Sequence, residues 1–529
     1  MDLLKEFTSK DFVEQITILQ EIENQKNHEA LPELIELCKT LPSDGSLSYM
    51  LENALKAVLS ENESETVNQL SSDHIRLKRL CIQLCGRKQF VSAGPVLIDM
   101  LETTSEPDLL FETFSALSRI RQPEHLSVFQ KNMFHSASTI SALCIEMIGD
   151  YGDESSVPVL CDILERAEQD DRFEECDLTT INAIEALARI KSADAVSFLC
   201  SKIHHRNPKA RQIIHDQLLQ IGTDILPYLS KYFERNDVDL KIMAANILGN
   251  LGLKEGGDIL VDAIDKGAAH HPNIKFAIYE AFGKIFFMKG LVCLMDGLNE
   301  EDDSVFMAVV SALDNQINPG IIKKIKEITV AGDAQSQRMI KTIVSAKALS
   351  MFAALYGDDP QIADLLIDGV SASKDPEVIA AFIEKLNILS GDRAEADAKK
   401  LTELSLTSSG KRILAVDDSA PMLLFYRSIA STLGYDIVTA VNGREALNCL
   451  EKDSEFDLII SDMNMPVMDG IEFTREVRSN LFISDIPIVM VTTESESSQV
   501  RLAESAGVTG FMKKPFTADA LQAKICEFI

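Results

Sequence analysis

At 529 residues the chain has room for three or four domains of about 150 residues each, and 46% hydrophobic with 25% charged residues excludes wholesale disorder. With 82 acidic against 51 basic side chains, the formal charge is −31, a field that repels nucleic-acid phosphates and anionic lipid headgroups. No apolar run reaches the roughly 18 residues a spanning helix needs, the best, Ile285 to Met295, being broken by Lys289. The start also lacks a cationic segment followed by an apolar one. The expectation is a cytoplasmic protein with no membrane span and no nucleic-acid partner.

From the N-terminus to about residue 402 the texture is helical. One phrase recurs: apolar residues closing a helix, a short polar or glycine turn, then a second apolar stripe. ALSRIRQPEHLSVF (116–129), ALARIKSADAVSFL (186–199) and ILGNLGLKEGGDIL (247–260) are examples. The closing residues Ile120, Tyr151, Ile190, Ile221, Leu251, Ile285 and Ile317 are 31, 39, 31, 30, 34 and 32 apart. The long step holds the polar stretch Glu168–Asp177, which reads as a loop insertion. A helix pair with its turn fills such a period, and each pair exposes an apolar face that only a neighbour can cover. The segment resembles HEAT-like repeats and implies an α-solenoid over 1–402. Tetratricopeptide repeats fit less well, since their usual Trp is absent; armadillo-type triplets and an irregular helical bundle stay open.

Cysteine and histidine add little chemistry to this array. The ten cysteines include no Cys-x-x-Cys pair, so neither a zinc site nor a disulfide framework is indicated, and buried free thiols are expected. His204–His205 and His270–His271 are adjacent pairs whose side chains point apart on a helix, a poor arrangement for ligating metal.

Strand texture begins after a polar connector at 403–411. Ile413–Val416, Asp436–Ala440, Asp457–Ser461, Ile486–Val491 and Gly510–Met512 are short and rich in Val and Ile. Helical patterns lie between them at Pro421–Leu433, Arg444–Glu451, Gly470–Arg478, Ser498–Ala506 and Thr517–Phe528. Strict alternation over 412–529 predicts a five-stranded parallel sheet covered on both faces, with its ligand site at the carboxyl ends of the strands. Asp417 and Asp418 follow the first strand, Asp462 the third, Thr492 the fourth and Lys514 the fifth. Converging carboxylates repel one another unless a cation sits among them, and oxygen donors of this kind suit Mg²⁺.

VDDS (416–419), SDMNMPVMDG (461–470), VTTES (491–495) and KPF (514–516), in that order, resemble a response-regulator receiver domain, most nearly the stand-alone chemotaxis receiver. The resemblance covers about 411–529 and implies a flavodoxin-like α/β fold. It further implies that Asp462 is the phosphoacceptor, charged by a partner histidine kinase. Asp418, with Asp417, Asp462 and the Asn464 backbone carbonyl, would hold Mg²⁺. Thr492 and Lys514 would engage the phosphoryl group, Phe511 would be the aromatic switch, and Asn464 and Glu494 would tune hydrolysis of the acyl phosphate.

The resulting expectation is a phosphorelay response regulator in which modification at Asp462 governs what an unidentified protein partner finds on the repeat array. Two other readings are weighed. One is a phosphate sink or chemotaxis adaptor localised by the array. The other is a HEAT-like lyase, for which no cluster of His, Cys and acidic residues speaks. Apart from the self-catalysed transfer onto Asp462, no enzyme activity is expected.

Overall fold

A computed structural model describes residues 4, 7–41, 45–169, 176–373, 375–405, 411–492, 497–514 and 516–529. Contacts divide the chain into two compact units, Met1–Leu199 and Cys200–Ile529. The division therefore does not fall at the change of texture, because the second unit holds both array helices and the α/β domain.

In the first unit, helices Ile75–Lys88, Pro107–Ile120, Ser138–Tyr151 and Leu178–Ile190 stack one on the next. In the second unit, Pro208–Ile221, Val238–Leu251, Pro272–Lys284 and Asp303–Asp314 do the same, while Lys254–Asp265 and Met288–Gly297 form a second layer. This is the stacking that the periodic closing residues require. Ile120, Tyr151, Ile190, Ile221 and Leu251 end their helices as expected. The helices preceding Ile285 and Ile317 stop at Lys284 and Asp314. Asn or Asp side chains cap many helix starts: Asn207 accepts from the Ala210 amide at 2.8 Å and Asp237 from Leu240 at 3.0 Å. These caps satisfy amides that have no partner within the helix.

Neighbouring helices approach closely because small residues meet at the crossings. Gly149 lies against Ala186 and Gly249 against Ala281. A Cβ on Gly249 would stand 2.7 Å from the Ala281 Cβ and 2.8 Å from its Cα, and helical backbone cannot yield as a flexible side-chain tip can.

The α/β domain has strands β1 (Arg412–Val416), β2 (Asp436–Ala440), β3 (Leu458–Asp462), β4 (Ile488–Thr492) and β5 (Gly510–Lys513). All pair in parallel in the order β2-β1-β3-β4-β5, the flavodoxin-like arrangement. Asp462 and Thr492 are the last residues of their strands rather than the first beyond them. The ladder runs one step further than the apolar runs suggest, pairing Asp462 with Val491 and Thr492 with Lys513. Ile413 and Ala415 face helices Ala420–Leu433 and Ala518–Phe528, whereas Leu414 and Val416 face Gly443–Lys452 and Gly470–Ser479. Met307 and Ala346, from the array, belong to the first of these apolar clusters. The ten cysteines are all free, and only Cys526 is exposed.

Gly249→Ala is expected to destabilise the chain by about 1–3 kcal/mol, although alanine is the better helix former. Urea unfolding would show this as a lower midpoint; an unchanged midpoint would mean that the helices are not held at this separation.

Candidate functional site

β1 and β3 are neighbours whose following connections leave to opposite sides of the sheet, so a crevice opens beyond their carboxyl ends. Asp417 and Asp418 enter it from β1 and Asp462 from β3; one carboxylate oxygen of each lies within 4.8 Å of the others. Lys514, just past β5, reaches back across the sheet end. Its Nζ is 2.9 Å from Asp417 Oδ2 and 3.2 Å from Asp462 Oδ2. Two of the three carboxylates are held by hydrogen bonds. The Ser419 amide donates to Asp417 Oδ1 at 2.9 Å and the buried Tyr426 hydroxyl to Asp417 Oδ2 at 3.2 Å. The Met463 amide donates to Asp462 Oδ1 at 2.9 Å. Gly470 leaves room for the helix start beneath the Asp462 carbonyl, where any side chain would collide.

Burial and the neighbouring carboxylates set the protonation. Burial raises the Asp462 carboxyl to about 6, Lys514 opposing and Asp417 adding to the rise. Asp418 is held well above the ordinary carboxylate range, first by desolvation in the crevice and then by Asp417 and Asp462. Its side chain is exposed at the lip of the rim and lines a cavity over the sheet edge. For Lys514, burial works against the ammonium, and the attraction of Asp417 and Asp462 more than reverses it. One ammonium for three carboxylates leaves the cluster short of positive charge. Hard oxygen donors with unmet negative charge fit a small divalent cation. Among the described residues this is the one group of three or more such side chains so arranged.

The other expected residues are placed as follows. Thr492 is buried at the end of β4, its hydroxyl 3.6 Å from the Met463 sulfur. Phe511, in β5, is half-buried against Met463, Ile471, Met490, Ala503 and Ala506. The Asn464 side chain accepts a hydrogen bond from Arg211, in the array helix Pro208–Ile221. Glu494 lies outside the described residues, as do 493, 495, 496 and Pro515. Of the adjacent histidines, His271 caps helix Pro272–Lys284, its Nδ1 accepting from the Asn273 amide, while His205 Nδ1 accepts from the amide of Asn207, the cap of Pro208–Ile221.

Sequence reasoning missed three groups. Tyr426 presents its hydroxyl to Asp417 from the second turn of the helix that follows β1. Arg211 and Glu280 come from the array, Glu280 accepting from the Ser419 hydroxyl at 3.2 Å. Helices Pro208–Ile221, Val238–Leu251 and Pro272–Lys284 form the far wall of a cavity of about 310 Å³ over the rim. Nothing in the array's sequence marks these positions, since their role depends on partners 139 residues away for Glu280 and 253 for Arg211.

Residues 413–526 match the family described as response regulator receiver domain. Chemotaxis protein CheY1 of Helicobacter pylori is 38% identical over 115 residues, 22% of this chain and 93% of that protein. The CheY homolog of Campylobacter jejuni is 38% identical over 115 residues, 22% of this chain and 88% of that protein. Among solved structures, CheY4 of Vibrio cholerae is 37% identical and covers 23% of this chain and 100% of that one, with a TM-score of 0.22.

A cation entering the crevice displaces protons from raised carboxyls, so its affinity falls with pH. With Asp462 near 6, titration calorimetry should show Mg²⁺ binding weaken about tenfold from pH 7 to pH 5. The sign for stability is the reverse of a usual salt-bridged aspartate. Without a cation, this raised carboxyl favours the folded state at low pH, and that contribution is lost as pH rises through about 6. Pairing with Mg²⁺ should restore it, and a pH-independent affinity would contradict the assignment of the donors.

Proposed function

Because this chain belongs to the response-regulator family through its C-terminal receiver domain, we propose that it is a phosphorelay protein whose Asp462 takes a phosphoryl group from the phosphohistidine of a histidine kinase and whose helical array is the element regulated. The observation that carries this reading is the Lys514 ammonium held between Asp417 and Asp462, at 2.9 and 3.2 Å. It is the arrangement a carboxylate needs to accept, and then keep, additional negative charge.

The transfer is a displacement at phosphorus. An Asp462 carboxylate oxygen forms the new P–O bond, the P–N bond to the donor imidazole breaks, and the electron pair leaves with the imidazole. Little covalent help is needed; positioning and charge neutralisation dominate. Asp417, Asp418, Asp462 and the Asn464 carbonyl would hold Mg²⁺, which supplies charge neutralisation at the phosphoryl oxygens when bound. The Met463 amide fixes the Asp462 carboxylate by its Oδ1, and Lys514 faces Oδ2. Tyr426 and the Ser419 amide hold Asp417 in place, so the ammonium has a fixed anchor on the side away from the reacting oxygen.

Afterwards the Thr492 hydroxyl, set against a weak sulfur acceptor, can turn to a phosphoryl oxygen, a far stronger one. Phe511, half-buried beside Met463 and Met490, is placed to repack with that movement. Asn464 and Glu494 are assigned to tuning hydrolysis. Regulation of the array is favoured over passive localisation by the receiver helix Ala420–Leu433, which packs against array helices Asp303–Asp314, Ala334–Ser345 and Pro360–Ser373. The array then offers its surface to a further protein partner under control of that contact.

Acetyl phosphate with Mg²⁺ should label the chain on Asp462 in an acid-stable, hydroxylamine-sensitive adduct detected by mass spectrometry. Asp462→Asn should abolish the label and Lys514→Ala should cut its rate at least about tenfold, the scale of one lost charge contact. Equal labelling of Asp462→Asn and the parent chain would remove the acceptor assignment.

A further inference from the structure

The Asp462 rim is roofed by the same chain. The cavity of about 310 Å³ above it has Arg211, Met243, Phe276 and Glu280 of the array on its far side. It has room for a hydrated ion or a small acyl phosphate. A histidine on the surface of a folded kinase is different, since its backbone would have to occupy the space now filled by helices Pro208–Ile221 and Pro272–Lys284. Polar contacts span the rim itself, among them Arg211 to Asn464 and Ser419 to Glu280.

The seam that holds this roof in place is largely polar. Arg427, 2% exposed, places Nη1 3.5 Å from the Asp375 carboxylate, which is fully buried, and pairs its Nη2 with Glu377. The Ser431 hydroxyl donates to the Ser373 carbonyl. From the array, Met307 and Ala346 are the buried members of the apolar cluster shared with the receiver. The ion pair is imperfect. Arg427 Nε has no hydrogen-bond partner, and burial raises the Asp375 carboxyl despite the guanidinium beside it. A buried pair at 3.5 Å with one guanidinium donor unmet is a weak fastener, and polar seams between parts of one chain are the kind that open.

We propose that the helical array is a gate in cis over Asp462. With the seam closed, small phosphodonors reach the carboxylate through the cavity; a protein-borne phosphohistidine reaches it only when the Arg427 seam has opened. The proposal rests on the reading of Asp462 as phosphoacceptor. It makes phosphotransfer from a kinase a measure of the array's state: any partner that binds the open array better than the closed one raises the kinase's access, and by linkage phosphorylation is coupled to that partner.

The gate can be tested without knowing the kinase. In the full-length chain, Asp418→Cys puts a thiol on the exposed lip of the rim, and native Cys526, exposed, is the internal reference. Two reagents are compared by peptide-resolved mass spectrometry: iodoacetamide, and a maleimide on a short tether to a folded carrier protein. Iodoacetamide should modify the new thiol readily. The carrier-borne maleimide should react at least about tenfold more slowly there than at Cys526, as for an open state populated at 10% or less. Adding Arg427→Ala, or Asp375→Asn should the first variant fold poorly, should remove most of that difference. Rapid reaction of the bulky reagent in the closed background overturns the gate; slow reaction in both seam variants overturns the seam's part in it. Acetyl phosphate labelling of the chain without Asp418→Cys is run in parallel. If that label fails, the acceptor reading falls by itself, whereas the thiol rates still judge the gate.

Discussion

Three aspartates and one lysine at the carboxyl edge of a parallel sheet carry unbalanced charge, and the function of this chain follows from how that charge is satisfied. Asp417 and Asp462 cannot move apart, because β1 and β3 are hydrogen-bonded neighbours and both side chains are tied to backbone amides. Lys514 offsets part of the repulsion from the far strand. What remains is an excess of oxygen-borne negative charge suited to a hard cation, with the Asp462 carboxyl raised to about 6. Chemistry that adds negative charge to one oxygen is aided by the same arrangement.

The array contributes in a different way. Its helices stack through small residues at their crossings, so the wall facing the rim is stiff and its side chains are fixed in space. Arg211 and Glu280 reach the rim not because their own segments bind anything, but because stacked helices deliver one side chain per turn to a defined place. The seam between wall and receiver combines a small apolar contact with a buried and incompletely satisfied arginine. A wholly apolar seam would make the two parts one core, whereas this one holds the closed form while leaving the open form within reach.

This arrangement joins the two halves of a signalling protein more tightly than a connector of a few residues would suggest. The compact unit boundary at Leu199 and Cys200, rather than near residue 405, expresses that joining. Array helices from residue 200 onward share their packing with the receiver, and the first unit is a stack of its own.

Much of this was legible in the residues. Apolar runs alternating with amphipathic stretches dictated a parallel sheet, since burial on both faces demands it. The carboxylates and the lysine could be placed at strand ends because strand period and turn chemistry are local. The helix-closing residues fixed the repeat for the same reason, missing by a residue or more only before Ile285 and Ile317. Strand ends at Asp462 and Thr492 were misjudged by one step because pairing, a property of the neighbouring strand, extended them. Tyr426 on Asp417, Arg211 on Asn464, Glu280 on Ser419 and the Arg427 seam were beyond reach. By itself the sequence determined the elements and the chemistry at their ends, because those depend on near neighbours along the chain; only the tertiary structure decided that the array roofs the site, because that depends on which distant surfaces meet.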